Sequence, residues 1–172
     1  MTSLETAARE ILVIDSRPGA PFACDMTGAP DTPQDRLAEY GRLFAHALVG
    51  RERRSDSVEF RFASKVGVAE WVADLARREA ACCPFFSYRV TADGDHVIWR
   101  TGSDGGAEAQ VMLDELHELP DHCAEGIDGY FARLAQRGVS ITSPAPRQFR
   151  IQEFDPARSQ ALPGKKSSGC GC

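Results

Sequence analysis

The sequence predicts an α+β fold, a small sandwich of helices on a mostly antiparallel sheet. Apolar residues alternate over 56–63, which is typical of a half-buried strand. They recur at helical spacing over 34–49 and 68–83, which predicts two amphipathic helices. The pair Asp93-Gly94 separates two further strand-like runs and predicts a hairpin turn. One form of such a sandwich is the ferredoxin-like arrangement.

The remaining elements follow from the same patterns. In chain order, we predict a short edge strand over 22–27, a helix over 34–49, a strand over 56–63, a helix over 68–83, hairpin strands over 85–91 and 97–101, and helices over 105–118 and 122–136. Gly50 lies just beyond the first long helix, where a C-cap is expected. Pro84 ends the second long helix, and Pro120 separates the last two, because proline cannot donate an intrahelical hydrogen bond.

Composition divides the chain into three segments. We predict a loosely attached lead-in over 1–21, the α+β domain over 22–142 and a flexible tail over 143–172. The tail holds four prolines between positions 144 and 163, and its few apolar groups offset little of the entropy of ordering. A length of 172 residues suits one domain with such a tail.

Charge and hydropathy exclude two classes of partner. A net charge of −5 and a pI of about 5.4 repel phosphate backbones, so no nucleic-acid partner is expected. The one basic run, over 51–54, is expected to be a solvated helix end. No apolar stretch reaches the length of a membrane span or of a signal-peptide core, so we expect no membrane association and a cytoplasmic location. Thiols are kept reduced there, so the six cysteines need a role other than disulfide bonding.

Cys82 and Cys83 close the second long helix, immediately before Pro84. Glu79 lies three and four residues earlier, so its carboxylate can reach either thiol. Two adjacent thiols at a helix end suit a soft ion. The alternative is that both are small buried hydrophobic residues, as free cysteines often are.

A resemblance adds to this interpretation. The run Glu-Ala-Ala-Cys-Cys-Pro-Phe-Phe over 79–86, followed by a Thr-Ala-Asp-Gly-Asp hairpin, resembles a small bacterial domain. That domain occurs alone or attached to regulators of the mercury-resistance-regulator (MerR) type. The segment Cys-Asp-Met-Thr over 24–27 fits the same pattern, and the resemblance covers about 22–120. It implies an α+β domain with a paired-cysteine helix end, associated with metal-responsive systems. The chain has no room for the regulators' DNA-binding helices, so DNA binding does not carry over.

Cys24 lies on the predicted edge strand, and we predict that it is closely coupled to the cysteine pair. Three thiolates from Cys24, Cys82 and Cys83 would suit a trigonal ion such as As(III), or Hg(II) or Zn(II) with a further ligand. The alternative for Cys24 is a single buried core cysteine.

Three more cysteines are candidate ligands. Cys123 follows His122 near a predicted helix start, where the helix dipole would lower its pKa and favour the thiolate. The imidazoles of His122 and His117 are weaker candidates. Cys170 and Cys172 flank one glycine at the end of the tail, where two sulfurs can converge on one ion and deliver it to a core site. The alternative is that these terminal cysteines have no role.

The leading hypothesis is a cytoplasmic binder of a soft metal or metalloid ion, namely Hg, As(III), Cu(I) or Zn, in heavy-metal resistance, sensing or trafficking. Its predicted metal ligands are Cys24, Cys82, Cys83, Cys123, Cys170 and Cys172. Its expected partners are the ion and a metal-transfer protein. No standard catalytic motif occurs, but a thiol-dependent enzyme acting on an organometallic or disulfide substrate stays open. A third alternative is an interaction domain with incidental cysteines.

Overall fold

The computed structural model of the chain describes the backbone of residues 7–142 and 148–154 and the side chains of 7–139. Its strands are β1 (Arg9–Ile14), β2 (Ala23–Asp25), β3 (Leu48–Arg53), β4 (Ser57–Ala63), β5 (Ser87–Asp93), β6 (His96–Gly102), β7 (Val139–Thr142) and β8 (Gln148–Phe154). Its α-helices are α1 (Pro33–Ala47), α2 (Val68–Cys82), α3 (Ala107–His122) and α4 (Gly126–Gln136), and a 3-10 turn, Cys123–Glu125, joins the last two.

The described strands form two sheets. The larger has five strands in the order β1-β5-β6-β4-β3, and the smaller has the order β2-β8-β7. Every neighbouring pair is antiparallel, so the predicted α+β class with a mostly antiparallel sheet is confirmed. The complete ferredoxin-like form is not observed. The strands β4 and β5, which α2 joins, are parallel with β6 between them and so form one split βαβ unit. After β6 the described chain continues through α3 and α4 into the smaller sheet, so no second unit of this kind is formed there.

One face of the larger sheet carries the core. Val58, Phe60 and Phe62 alternate on β4 and are at most 1% exposed, as their period of two predicted. Trp99 on β6 lies on the same face, and the ring of Tyr40 on α1 stacks on it with centroids 5.7 Å apart. The helices therefore cover this face, and the opposite face of the sheet carries charged side chains.

Two predicted helix ends are wrong. Gly50 is not a C-cap, and the first three residues of the basic run lie on β3, because the chain turns directly from α1 into a strand whose Leu48 pairs with Phe62. Pro120 lies inside α3 and does not end it. The helix ends two residues later, so the one hydrogen bond that Pro120 cannot donate is lost from its last turn only.

Both predicted flanking segments contribute strands. In the lead-in, β1 pairs with β5 along the edge of the larger sheet. In the predicted tail, β8 pairs with both β2 and β7, so the expectation of an unstructured segment is wrong at these residues. Cys170 and Cys172 lie outside the described residues, as does the rest of the tail beyond 154. No helix in the described ranges is long and apolar enough to cross a membrane.

Candidate functional site

Three cysteine sulfurs meet where the smaller sheet touches the end of α2. Cys24 comes from β2, Cys82 is the last residue of α2, and Cys83 is its C-cap. Their Sγ atoms all lie within 4.8 Å of one another. Cys24 therefore lies next to the cysteine pair, as predicted, and the three residues could hold an ion. Cys82 and Cys83 are buried and Cys24 is half-buried.

The end of α2 explains how two consecutive side chains point to one place. Neighbouring residues inside an α-helix point about 100° apart. Cys83 has left the helix, with φ −120° and ψ 73°, although its N–H still donates to Glu79 O at 2.7 Å. Pro84 favours this, because a proline disfavours helical dihedrals in the residue before it. As a result, the Sγ atoms of Cys82 and Cys83 lie 3.8 Å apart.

Cys24 and Cys83 are joined as a disulfide in this structure, and Cys82 keeps a free thiol. The bond links β2 to the end of α2 across a sequence separation of 59 residues. The expectation that the cysteines serve some purpose other than disulfide bonding is therefore wrong for this pair in the oxidised state. Because the bond is reversible by thiol exchange, the same three sulfurs can present either one thiol or three.

The surroundings of Cys82 favour its protonated, neutral thiol form. Burial, and after it the charge of the nearby Glu79 carboxylate, raise the pKa of the Cys82 thiol to about 12. Arg36 and a backbone hydrogen bond from Asp25 oppose these effects. At neutral pH the Cys82 side chain is therefore an uncharged thiol until something displaces its proton.

A buried arginine organises the charges beside the thiols. Arg36 on α1 is 5% exposed and contacts both carboxylate oxygens of Asp31, at 2.6 and 2.9 Å. Its Nη1 lies 3.4 Å from Glu79 Oε1 and donates to the backbone oxygen of Arg78 at 3.2 Å. Burial works to raise the pKa of Asp31, but the hydrogen bond and charge of Arg36 outweigh it and lower that pKa. Burial raises the pKa of Glu79, and Arg36 opposes the shift only in part.

The three cysteines line a cavity of about 140 Å³ between the helices and the larger sheet. Arg36 and Glu79 lie on its wall beside the sulfurs. Three tyrosine rings also line it: Tyr40, Tyr88 and Tyr130. The wall also includes apolar side chains of α1, α3 and α4, among them Leu37, Met112, Leu116, Leu119, Ile127 and Leu134. The site therefore combines soft sulfur donors with a mainly apolar space.

Among the described residues, the predicted candidates Cys123, His122 and His117 are not part of this cluster. Cys123 is the C-cap of α3, and its Sγ donates to Leu119 O at 3.1 Å. Burial raises the pKa of Cys123 to about 11, so the predicted lowered pKa is wrong. The residue lies at the end of α3, where the 3-10 turn leads into α4, which begins only at Gly126. His122 Nδ1 lies 2.7 Å from Glu125 Oε1, and burial lowers the pKa of His117.

Sequence reasoning missed Arg36 and the cavity. One signal was available for the arginine, since Arg36 lies four residues before Tyr40 and is thus a charged side chain on the apolar face of α1. Such a residue is buried only when it is paired. The walls contributed by α3 and α4 carried no comparable signal, because an apolar helix face looks the same whether it lines a cavity or fills a core.

Fold and site together define the class of this chain: an α+β protein with three clustered cysteines on the wall of an apolar cavity. No family model matches the chain, and neither does a curated protein or a solved structure.

Proposed function

We propose that the protein, with its Cys24–Cys83 bond reduced, binds a soft metal or metalloid ion for resistance, sensing or trafficking. The observation that carries this proposal is the convergence of three Sγ atoms within 4.8 Å. Thiolates bonded at about 2.3 Å to one ion lie about 4 Å from one another. Only the Cys24 and Cys83 sulfurs need to move apart after reduction, and Cys82 is already at this spacing from Cys83.

The chemistry of loading balances without a further cofactor. Reduction takes two electrons and two protons from a thiol reductant and yields the Cys24 and Cys83 thiols. Arsenite, As(OH)₃, then exchanges three As–O bonds for three As–S bonds, and the thiol protons leave with the hydroxides as three waters. A divalent ion such as Hg²⁺ or Zn²⁺ instead releases the thiol protons to solvent. A reducing compartment such as the cytoplasm would keep the site in its three-thiol form.

The thiol-enzyme alternative has less support from the site. A catalytic cysteine needs a substantial thiolate fraction, whereas the pKa of Cys82 is raised to about 12. The ion-binding proposal does not need a free thiolate, because the ion itself displaces the proton. A metal-transfer protein that brings or accepts the ion remains part of the proposal.

Redox state should control binding. We expect phosphine-reduced protein to bind one arsenite per chain at the core site and the disulfide form to bind roughly a hundredfold more weakly or worse, because two of three donors are then lost. Intact-protein mass spectrometry and calorimetry would measure this. The matched control is Cys123→Ser/Cys170→Ser/Cys172→Ser, which keeps only the cluster. Equal binding by both redox forms, or loss of binding in the control, would contradict the proposal.

The pH dependence should differ between two ions. Zn²⁺ must displace the Cys82 proton, so its apparent affinity should rise at least about tenfold per pH unit between pH 6 and 8, below the raised pKa of Cys82. Arsenite should show a nearly flat profile, because its hydroxides carry the thiol protons away as water. Competition with a chelator of known protonation would give the Zn²⁺ profile. A Zn²⁺ affinity that does not change with pH would rule out Cys82 as a ligand.

A further inference from the structure

The space next to the sulfurs is larger than a bare ion needs. The cavity of about 140 Å³ is lined by the three cysteines together with apolar side chains of α3 and α4. An engineered apolar cavity of about 150 Å³ is known to stay dry and to bind benzene. The space beside the thiols therefore matches one aromatic ring or a branched alkyl group of similar volume.

We infer that the physiological ligand is a monoorganic derivative of a thiophilic centre, such as an aryl-As(III) or alkyl-As(III) species, with its organic group in this cavity. This inference rests on the proposed function and names the class of ligand at the same site. The sulfurs hold the arsenic, and the side chains of Leu116, Ile127 and Leu134 surround the carbon substituent.

The donor set suits such a ligand. A monoorganic arsenic, R–As(OH)₂, exchanges two As–O bonds for two As–S bonds, and two waters leave with the two thiol protons. The As–C bond stays intact, and no electrons are transferred. Of the three thiols, two bind the arsenic and one remains protonated.

Two of the polar groups on the wall, Arg36 and Tyr88, do not oppose an organic substituent. Arg36 directs its donors to Asp31, to Glu79 and to the backbone of Arg78. Tyr88 donates its hydroxyl to Cys83 O at 3.3 Å. These groups are already paired within the protein, so a hydrocarbon entering the cavity leaves their hydrogen bonds in place.

The test compares two probes on the reduced full-length protein: arsenite, and phenylarsine oxide, which hydrates to phenyl-As(OH)₂. Ile127→Phe places a ring in the cavity from a partly exposed position on α4. We expect it to weaken phenylarsine oxide binding on the order of tenfold to a hundredfold, the effect of displacing one buried phenyl group. Arsenite binding should stay within about twofold, since the sulfurs are untouched. Ile98→Phe, on β6 and away from the cavity, should leave both affinities unchanged.

A direct readout accompanies the affinities. In the wild-type complex, nuclear Overhauser effects should connect the phenyl protons to the methyl groups of Leu116, Ile127 and Leu134. If Ile127→Phe does not fold, Leu116→Phe on α3 replaces it with the same expectations. Two results would overturn this inference: an unchanged affinity of the Phe variant for phenylarsine oxide, or phenyl protons that show no contacts to these methyl groups. If arsenite still binds in either case, the proposed function stands. Failure of the reduced wild-type protein to bind either probe would overturn both.

Discussion

Replacing Cys82 by serine should lower the affinity of the reduced protein for arsenite roughly a hundredfold to a thousandfold. That range is one ligand's share of the 10–16 kcal/mol typical of a four-ligand structural zinc site, taken here as a guide to thiolate binding. Cys82 is the most informative of the three cysteines to replace, because it takes no part in the disulfide. Cys82→Ser thus removes a donor from the reduced site and leaves the Cys24–Cys83 bond able to form in the oxidised protein.

Calorimetric titration with arsenite measures this effect, with Cys123→Ser as the matched control. Cys123 lies outside the cluster, half-buried at the end of α3, so its replacement should change arsenite affinity by less than about twofold. If Cys82→Ser binds arsenite as tightly as the wild type and only unfolds more easily, Cys82 is a packing residue.

Replacing Arg36 by methionine should lower the free energy of unfolding by about 3 kcal/mol, at the lower end of the range for breaking a buried ion pair. Methionine keeps most of the apolar stem but leaves the Asp31 and Glu79 carboxylates without their buried partner. The expected loss is at the lower end because Arg78 Nη1 also contacts Asp31, at 2.8 Å. Asp31 therefore keeps one cationic partner in the variant.

Urea unfolding at several pH values would test this expectation. The pKa of Asp31 is lowered from 3.8 in the folded state, so its contribution to stability is present above that value and is lost as pH falls through the folded pKa. The difference between Arg36→Met and wild type should therefore shrink below about pH 4. Arg54→Met is the control, because Arg54 and its partner Glu52 are exposed and such pairs contribute about 0–1 kcal/mol. Similar losses for both variants would show that Arg36 has no special role.

The local parts of this fold were predictable, and the long-range parts were not. The alternation over 56–63, the helix that ends before Pro84 and the Asp-Gly hairpin each depend on neighbouring residues, and each appears close to its predicted place. The pairing of β8 with β2 depends on residues more than a hundred positions apart, and no local pattern encodes it. The strand β3 was missed because the chain turns into it directly from α1, without the turn residues that normally mark a boundary.

The candidate site was likewise predictable only where neighbouring residues determine it. The pair Cys82-Cys83 was recognisable from its own sequence, and its position beside a short strand suggested Cys24. The pKa of Cys123 was predicted in the wrong direction because the prediction depended on a helix starting at 122, whereas α3 continues to that residue through Pro120. Arg36 becomes a site residue only when α1 packs on the end of α2, which is a tertiary event.

The termination of α2 between its two cysteines has a consequence for the order of folding. Two of the three sulfur donors are consecutive residues, so formation of a single helix end brings them together without any closure of a long loop. Cys24 must arrive from 59 residues away, together with the docking of β2. Contacts of such separation form slowly compared with a helix. A chain that is still folding therefore offers a site with two thiols first. An ion bound there would keep one coordination position open for Cys24, which arrives when β2 docks.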